Sequence, residues 1–344
     1  MATTDSDAIT SADEATTDPA LERRVDLIKQ RMLAVPEIAA WPEMADIVRS
    51  GKAKGTSIPC WEYPLLACRA MGGSEEQALP GMAATACMLN SIHLLDDMLD
   101  EDERGLYHTL GAGHVANIAT AFQAVAPRML DGLDLPGDRL AALHAAIARG
   151  GLATAYGQYL DASPLEGDPE ENYWRVSLSK TPPLFGAAFY LGAVLGGADL
   201  EVASRIEGLG KSVGRMIQAG DDMSDALESP PNPDWRTRWN NLVILFALVA
   251  EHEERDRFEA LLDSVDQPES LAEAQEILVR SGAISYGCYH VIQGYREGRE
   301  ALAALDLPAP EALGELFEEL IAPARSLFES LDIEPPEELR TASP

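Results

Sequence analysis

The chain has 344 residues, 46% of them hydrophobic, and carries 57 acidic against 26 basic side chains for a formal net charge of -31. The apolar share supports a sizeable globular core, whereas the charge repels nucleic-acid phosphates and anionic membrane surfaces at long range. Roles built on either polyanion are excluded, and a phosphate-bearing ligand needs local help from a few Lys/Arg or from bound cations.

Residues 1–20 are rich in Ala, Thr, Ser and Asp without periodicity, with neither a basic n-region nor an apolar h-region. They are expected to form a disordered acidic tail, matched by a second tail at 335–344. Between them, 21–334 reads as one helical domain, because no low-complexity linker and no repeat at the period of solenoid arrays interrupts it. Helical periodicity dominates and strand-like alternation is nearly absent, so the expected fold is all-α. Cys60, Cys68, Cys87 and Cys288 form no CxxC pair and sit in apolar surroundings, the pattern of reduced buried thiols. With no uninterrupted apolar run of membrane-spanning length, a cytoplasmic protein without a membrane span is expected.

In chain order the periodicity predicts helices at 21–34, 37–50 and 58–71, with "GKAKG" and its Lys52 and Lys54 between the second and third. The next predicted helix, 75–101, is long and apolar and ends in "SIHLLDDMLDEDERG". There Asp96, Asp97 and Asp100 share one helical face by their i, i+1, i+4 spacing. These like charges repel, and they stand at the negative end of the helix dipole. A solvated charge run accounts for Asp102 and Glu103 but not for Asp96, which follows the apolar run without a break. An EF-hand loop starting at Asp100 fails, since Arg104 and Gly111 fall where its fifth and twelfth positions need other residues.

Helices at 110–131 and 137–162 follow, the second ending in "GQYLDA". The helix at 169–197 holds "SKTPPLFGAAFYLGAVLGG", in which Pro182 and Pro183 remove two backbone donors, free carbonyls near Val176 to Ser179, and kink the segment. Helix 200–227 ends in "RMIQAGDDMSDAL", where Asp221, Asp222 and Asp225 repeat the i, i+1, i+4 spacing about 125 residues after the first set. Helices at 238–252, 256–266, 270–304 and 309–332 complete the chain. Two acidic helix ends facing each other make an oxygen-rich cage for hard divalent cations, and Mg²⁺ favours a few carboxylates plus phosphate oxygens. The pair of motifs therefore points to a diphosphate held through metal.

With these motifs the chain resembles the trans-isoprenyl diphosphate synthases of the class I isoprenoid synthase superfamily. "DDMLD" and "GDDMSD" look like that family's two aspartate-rich motifs, "GQYLDA" like its mid-chain Gln158 and Asp161, and "SKT" like its Lys-Thr segment at Lys180 and Thr181; Gln218 also matches. The resemblance implies a single all-α bundle around a deep apolar cavity, usually a homodimer. It also implies an enzyme that ionises an allylic prenyl diphosphate on three Mg²⁺ ions and couples the cation to isopentenyl diphosphate. Lys180, Thr181 and Gln218 would then act at the reacting end, with Asp96, Asp97, Asp100, Asp221, Asp222 and Asp225 around the metal. Ser91 and Ile92, five and four residues before Asp96, would line the prenyl tunnel, and the small Ser91 leaves room for a C20 or longer chain.

Basic positions depart from that pattern. "GKAKG" has Lys52 and Lys54 but no arginine beside them, Glu103 stands where an arginine is expected before Arg104, and "ESPPNPDWRTRWNN" offers Arg236 and Arg238 instead of lysines. An acidic residue in place of a phosphate-binding arginine reverses the sign of the contact. Two alternatives stay open: a terpene synthase that needs one diphosphate only, and a non-catalytic helical partner subunit, against which six intact motif aspartates argue.

Overall fold

The computed structural model of the protein describes residues 19–51 and 58–330, and every regular element among them is helical. The expected tails and the pair Lys52 and Lys54 lie outside these residues, apart from the start of the first helix at Pro19.

The principal helices are α1 (Pro19–Leu33), α2 (Pro42–Ser50), α3 (Tyr63–Ala70), α4 (Glu75–Leu99), α5 (Ala112–Val125), α6 (Gly137–Asp161), α7 (Pro169–Lys180), α8 (Pro182–Leu195), α9 (Leu200–Leu227), α10 (Leu242–Val249), α11 (Pro268–Arg280), α12 (Ala283–Ala303) and α13 (Glu311–Ser330). Their starts are written in the sequence. Ser74 and Gln77 form a reciprocal capping box on α4, Asp168 caps α7, Asp199 caps α9, and Asn241 accepts from two backbone N–H groups at the start of α10.

Several expected helices are divided: 37–50 breaks at Ala40 and Trp41 before Pro42, and two longer runs break as well. The run 169–197 breaks at Thr181, because Pro182 has no N–H to continue the ladder and starts α8 instead. The run 270–304 breaks at Ser281 and Gly282, the latter at φ 86, where only glycine is at ease.

α8 is apolar all round, and all but one of its side chains are buried. Such a helix belongs at the centre, and it packs against α9, α3, α6, α4 and α7. Glycines permit the close approaches. Gly192 lies against the Pro64 backbone of α3, and a Cβ at Gly214 of α9 would stand 2.7 Å from Pro182 Cα. A smaller core of Trp235, Phe258, Ile277 and their neighbours lies under α10–α12. α4 is long and apolar enough to cross a membrane, and most of it is buried in the main core.

The apolar centre expected beneath the aspartates is present but filled by side chains. A space of about 10 Å³ remains, lined by Ala84, Thr85 and Met88 of α4, Ile147 of α6, and Leu184, Ala187, Ala188 and Leu191 of α8.

Candidate active site

The two acidic motifs occupy the C-terminal ends of α4 and α9, with Asp100 as the C-cap of α4 and Asp225 in the last turn of α9. Both ends carry negative dipole charge, so nothing in the backbone offsets the carboxylates. Burial pushes the Asp225 carboxyl up to about 7, and Asp234 and Asp221 add like charge. Asp221 is exposed as a residue, yet desolvation by the surrounding protein pushes its carboxyl up to about 6. Desolvation and then Asp96 raise Asp100 to about 7.

Lys180, at the end of α7, is the cation of the site. Its ammonium lies 3.0 Å from Asp96 Oδ1 and 2.8 Å from Asp161 Oδ2. Burial alone would lower its proton affinity, but Asp96, Asp161 and Asp100 overcome that and raise it, so it stays charged. Gly157 makes this geometry possible. A Cβ there would land on the Lys180 backbone nitrogen, so the bare α-carbon lets α6 touch the end of α7 and sets Asp161, one turn on, beside the ammonium.

A similar approach of Gly214 to Pro182 sets Gln218, one turn on along α9, beside Thr181. The Thr181 hydroxyl donates to Gln218 Oε1 at 2.7 Å, and Gln218 Nε2 donates to Asp222 Oδ1 at 2.9 Å. Asp222 is 2% exposed, and its other oxygen accepts from the Tyr173 hydroxyl and the Leu242 N–H.

Of the remaining expected residues, Gln158 is half-buried on the α6 face shared with Thr154 and Asp161, and its Oε1 has no hydrogen-bond partner. Ser91 is fully buried with an unpartnered hydroxyl, and Ile92 is half-buried. The arginines are engaged elsewhere. Arg104 folds onto Asp102 at 2.8 Å, Arg238 onto Asp263 at 2.7 Å, and Arg236 reaches Asp266 at 3.5 Å. Arg104 still acts on the site, lowering the proton affinity of Asp225.

Tyr173, Asn241 and Asp234 join the site without having been expected from the sequence. Asp234 accepts from Asn241 at 3.1 Å; its carboxyl is raised by burial and feels Lys180, Asp161 and Asp96. It also raises both Asp100 and Asp225, so it is a further carboxylate within reach of both motifs. The buried Trp235 beside it anchors this segment. No helical spacing marks an aspartate in "NPDW", and only the packing reveals it.

The donor set suits Mg²⁺. It is made of hard oxygens, Asp96 Oδ1 is buried with only an ion pair to Lys180 and no hydrogen bond, and burial followed by neighbouring like charge raises the Asp100 and Asp225 carboxyls. Among the described residues no three such groups already surround a single point, so metal and diphosphate together would gather them.

Residues 63–279 match the model of a family described as polyprenyl synthetase. The chain belongs to the polyprenyl synthetase family. It is 29% identical over 262 residues, 70% of this chain and 78% of the other, to the short chain isoprenyl diphosphate synthase of Methanothermobacter thermautotrophicus. Its fold is similar to that of the geranylgeranyl pyrophosphate synthetase of Pyrococcus horikoshii, with a TM-score of 0.75 at 20% identity over 88% of this chain and 97% of that one. A polyprenyl synthetase of Streptomyces coelicolor superposes with a TM-score of 0.72 at 22% identity, covering 90% and 98%. Polyprenyl synthetases transfer prenyl groups, and the all-α isoprenoid synthase fold expected from the aspartate motifs is the one observed.

Proposed function

We propose that this polyprenyl synthetase ionises an allylic prenyl diphosphate on Mg²⁺ and passes the prenyl cation to isopentenyl diphosphate. The observation that carries the reading is the convergence on one site of the two acidic helix ends with the Lys180–Thr181–Gln218 row. Three Mg²⁺ ions brought in by the diphosphate would neutralise the charge that grows on the leaving group. Asp96, Asp97, Asp100, Asp221 and Asp225 would hold them, with Asp234 behind. Lys180 has the charge and position to leave Asp96 for the diphosphate once metal arrives. Thr181 Oγ1 and Gln218 Oε1 offer negative dipoles to the allylic cation. The buried apolar faces of α4, α6 and α8 would keep water from that cation.

A second reading, a class I terpene synthase using a single diphosphate, is favoured by the arginines. Arg104, Arg236 and Arg238 each already face a carboxylate, and Glu103 is exposed next to Arg104 in the chain. Incubation with allylic diphosphates and Mg²⁺, with and without isopentenyl diphosphate, followed by mass spectrometry decides between the two. Elongated diphosphates made only with isopentenyl diphosphate support the first; hydrocarbon or alcohol formed equally fast without it supports the second; no pyrophosphate from any substrate defeats both.

The homodimer is supported by α6. Leu152, Tyr156 and Tyr159 are exposed at i, i+4, i+7 on that helix, with Leu178 of α7 exposed nearby. This uncharged stripe on a molecule of such high charge can meet a copy of itself without repulsion.

A further inference from the structure

Asp222 differs from the other motif aspartates in what it already holds. Oδ1 accepts from Gln218 Nε2 at 2.9 Å, and Oδ2 accepts from the Tyr173 hydroxyl at 2.6 Å and from the Leu242 backbone N–H at 2.7 Å. Its own backbone carbonyl accepts from Asn241 Nδ2 at 2.8 Å, and Asn241 Oδ1 caps α10 through the N–H groups of Val243 and Ile244. Three of the carboxylate's roughly four acceptor sites are thus taken on a side chain 2% exposed, and a metal ion would find only one lone pair of Oδ1 left.

We infer that Asp222 is a positioning residue and not a metal ligand: through the Gln218 amide it fixes the direction of the Thr181 hydroxyl at the reacting end of the site. The inference rests on the prenyl-transfer reading above. The Gln218 amide turns its NH₂ to Asp222 Oδ1, while Oδ2 already takes two donors. Gln218 Oε1 is therefore turned to Thr181, which gives it the hydroxyl proton. With that proton committed, the Thr181 lone pairs point away from Gln218 and beside Lys180, as fixed negative dipoles that need no reorganisation when a cation forms. Tyr173 and the Leu242 N–H hold the carboxylate still, tying α7, α9 and α10 to one oxygen pair. In Asp222→Asn an NH₂ can replace one acceptor, so the Gln218 amide can turn round and withdraw Oε1 from Thr181.

The test compares wild type, Asp221→Asn, Asp222→Asn and Tyr173→Phe by thermal shift with Mg²⁺ plus pyrophosphate and by steady-state kinetics. Asp221→Asn should lose the Mg²⁺–pyrophosphate shift. Asp222→Asn should keep it in full while kcat falls about a hundredfold and KM for the allylic diphosphate stays within about twofold, the signature of misplacement at the transition state. Tyr173→Phe, which spares every carboxylate and serves if Asp222→Asn does not fold, should also keep the shift and lose about tenfold in kcat. Loss of the shift in Asp222→Asn as in Asp221→Asn would make Asp222 a ligand and overturn the inference. So would unchanged kcat in Asp222→Asn or in Tyr173→Phe. If wild type releases no pyrophosphate from any allylic diphosphate, the transfer reading fails separately, and the shift comparison still decides whether Asp222 binds metal.

Discussion

Asp225 and Asp100 bind protons with affinities of about 7, far above the ordinary aspartate value of 3.8. A carboxyl whose affinity is raised on folding stabilises the fold in acid and loses that contribution as pH climbs through its folded value. The metal-free melting temperature should therefore fall by a few degrees between about pH 5.5 and about pH 8, through these residues. Mg²⁺ with pyrophosphate selects the ionised forms, so the slope should turn upward in their presence. A metal-free melting temperature that rises across that window would contradict the crowding. For the same reason, Asp225→Asn should raise the metal-free melting temperature while lowering pyrophosphate release by orders of magnitude. The motif spacing showed these residues in the chain, but not their unequal roles. Asp100 and Asp225 are buried among like charges, Asp96 faces Lys180, and Asp222 holds donors from its own helix, from α7 and from α10.

At the scale of helices, glycines decide which pairs come close. Gly157→Ala would drive a methyl into the backbone of Ser179 and Lys180, and overpacking of this kind costs about 1–3 kcal/mol. It should also pull Asp161 from Lys180 and lower turnover. At Gly208, inside α9, an added Cβ would meet nothing within 4 Å, so Gly208→Ala should stabilise by about 0.5–1 kcal/mol. Chemical denaturation of the two variants checks the contrast, and equal effects would remove the role given to the α6–α7 contact. The floor of the proposed prenyl tunnel is likewise a matter of two helices. A Cβ at Gly151 would stand 2.8 Å from Met88 Cε, so the Met88 thioether fills the notch that Gly151 leaves, beside the 10 Å³ space. Met88→Ala should lengthen products, and Ser91→Phe should shorten them; an unchanged product distribution in both would place the floor on other residues. Ser91, expected to line the tunnel from its offset to Asp96, is buried but is not among the side chains around that space, whereas Met88 emerges only from the α6 face opposite.

For the whole molecule, a net charge of -31 opposes the compact state and is screened by salt. Raising KCl from about 0.1 M to about 1 M should increase the melting temperature by several degrees, and a decrease would mean that surface ion pairs such as Arg257–Glu273 outweigh the general repulsion. The exposed stripe of α6 gives the second prediction at this scale. Leu152→Glu should convert a dimer to monomer in light scattering without loss of helicity, and a wild-type monomer would leave that stripe without the proposed partner.

The all-α class, the helix starts and the two acidic motifs follow from the sequence alone, because periodicity, caps and i, i+4 spacing are local properties set within a few turns. The break at Pro182 is local in the same sense, since a missing N–H acts on its own helix. What only the tertiary structure decided is which side chains meet. Lys180 with Asp96 and Asp161, Asp222 with Tyr173 and Leu242, and Asp234 between the motifs all join segments separated by 19 residues or more or by the turn after α9. Such meetings depend on the depth to which helices approach, and that depth is set by glycines pressed against backbone on another helix, a relation no spacing along one chain can encode.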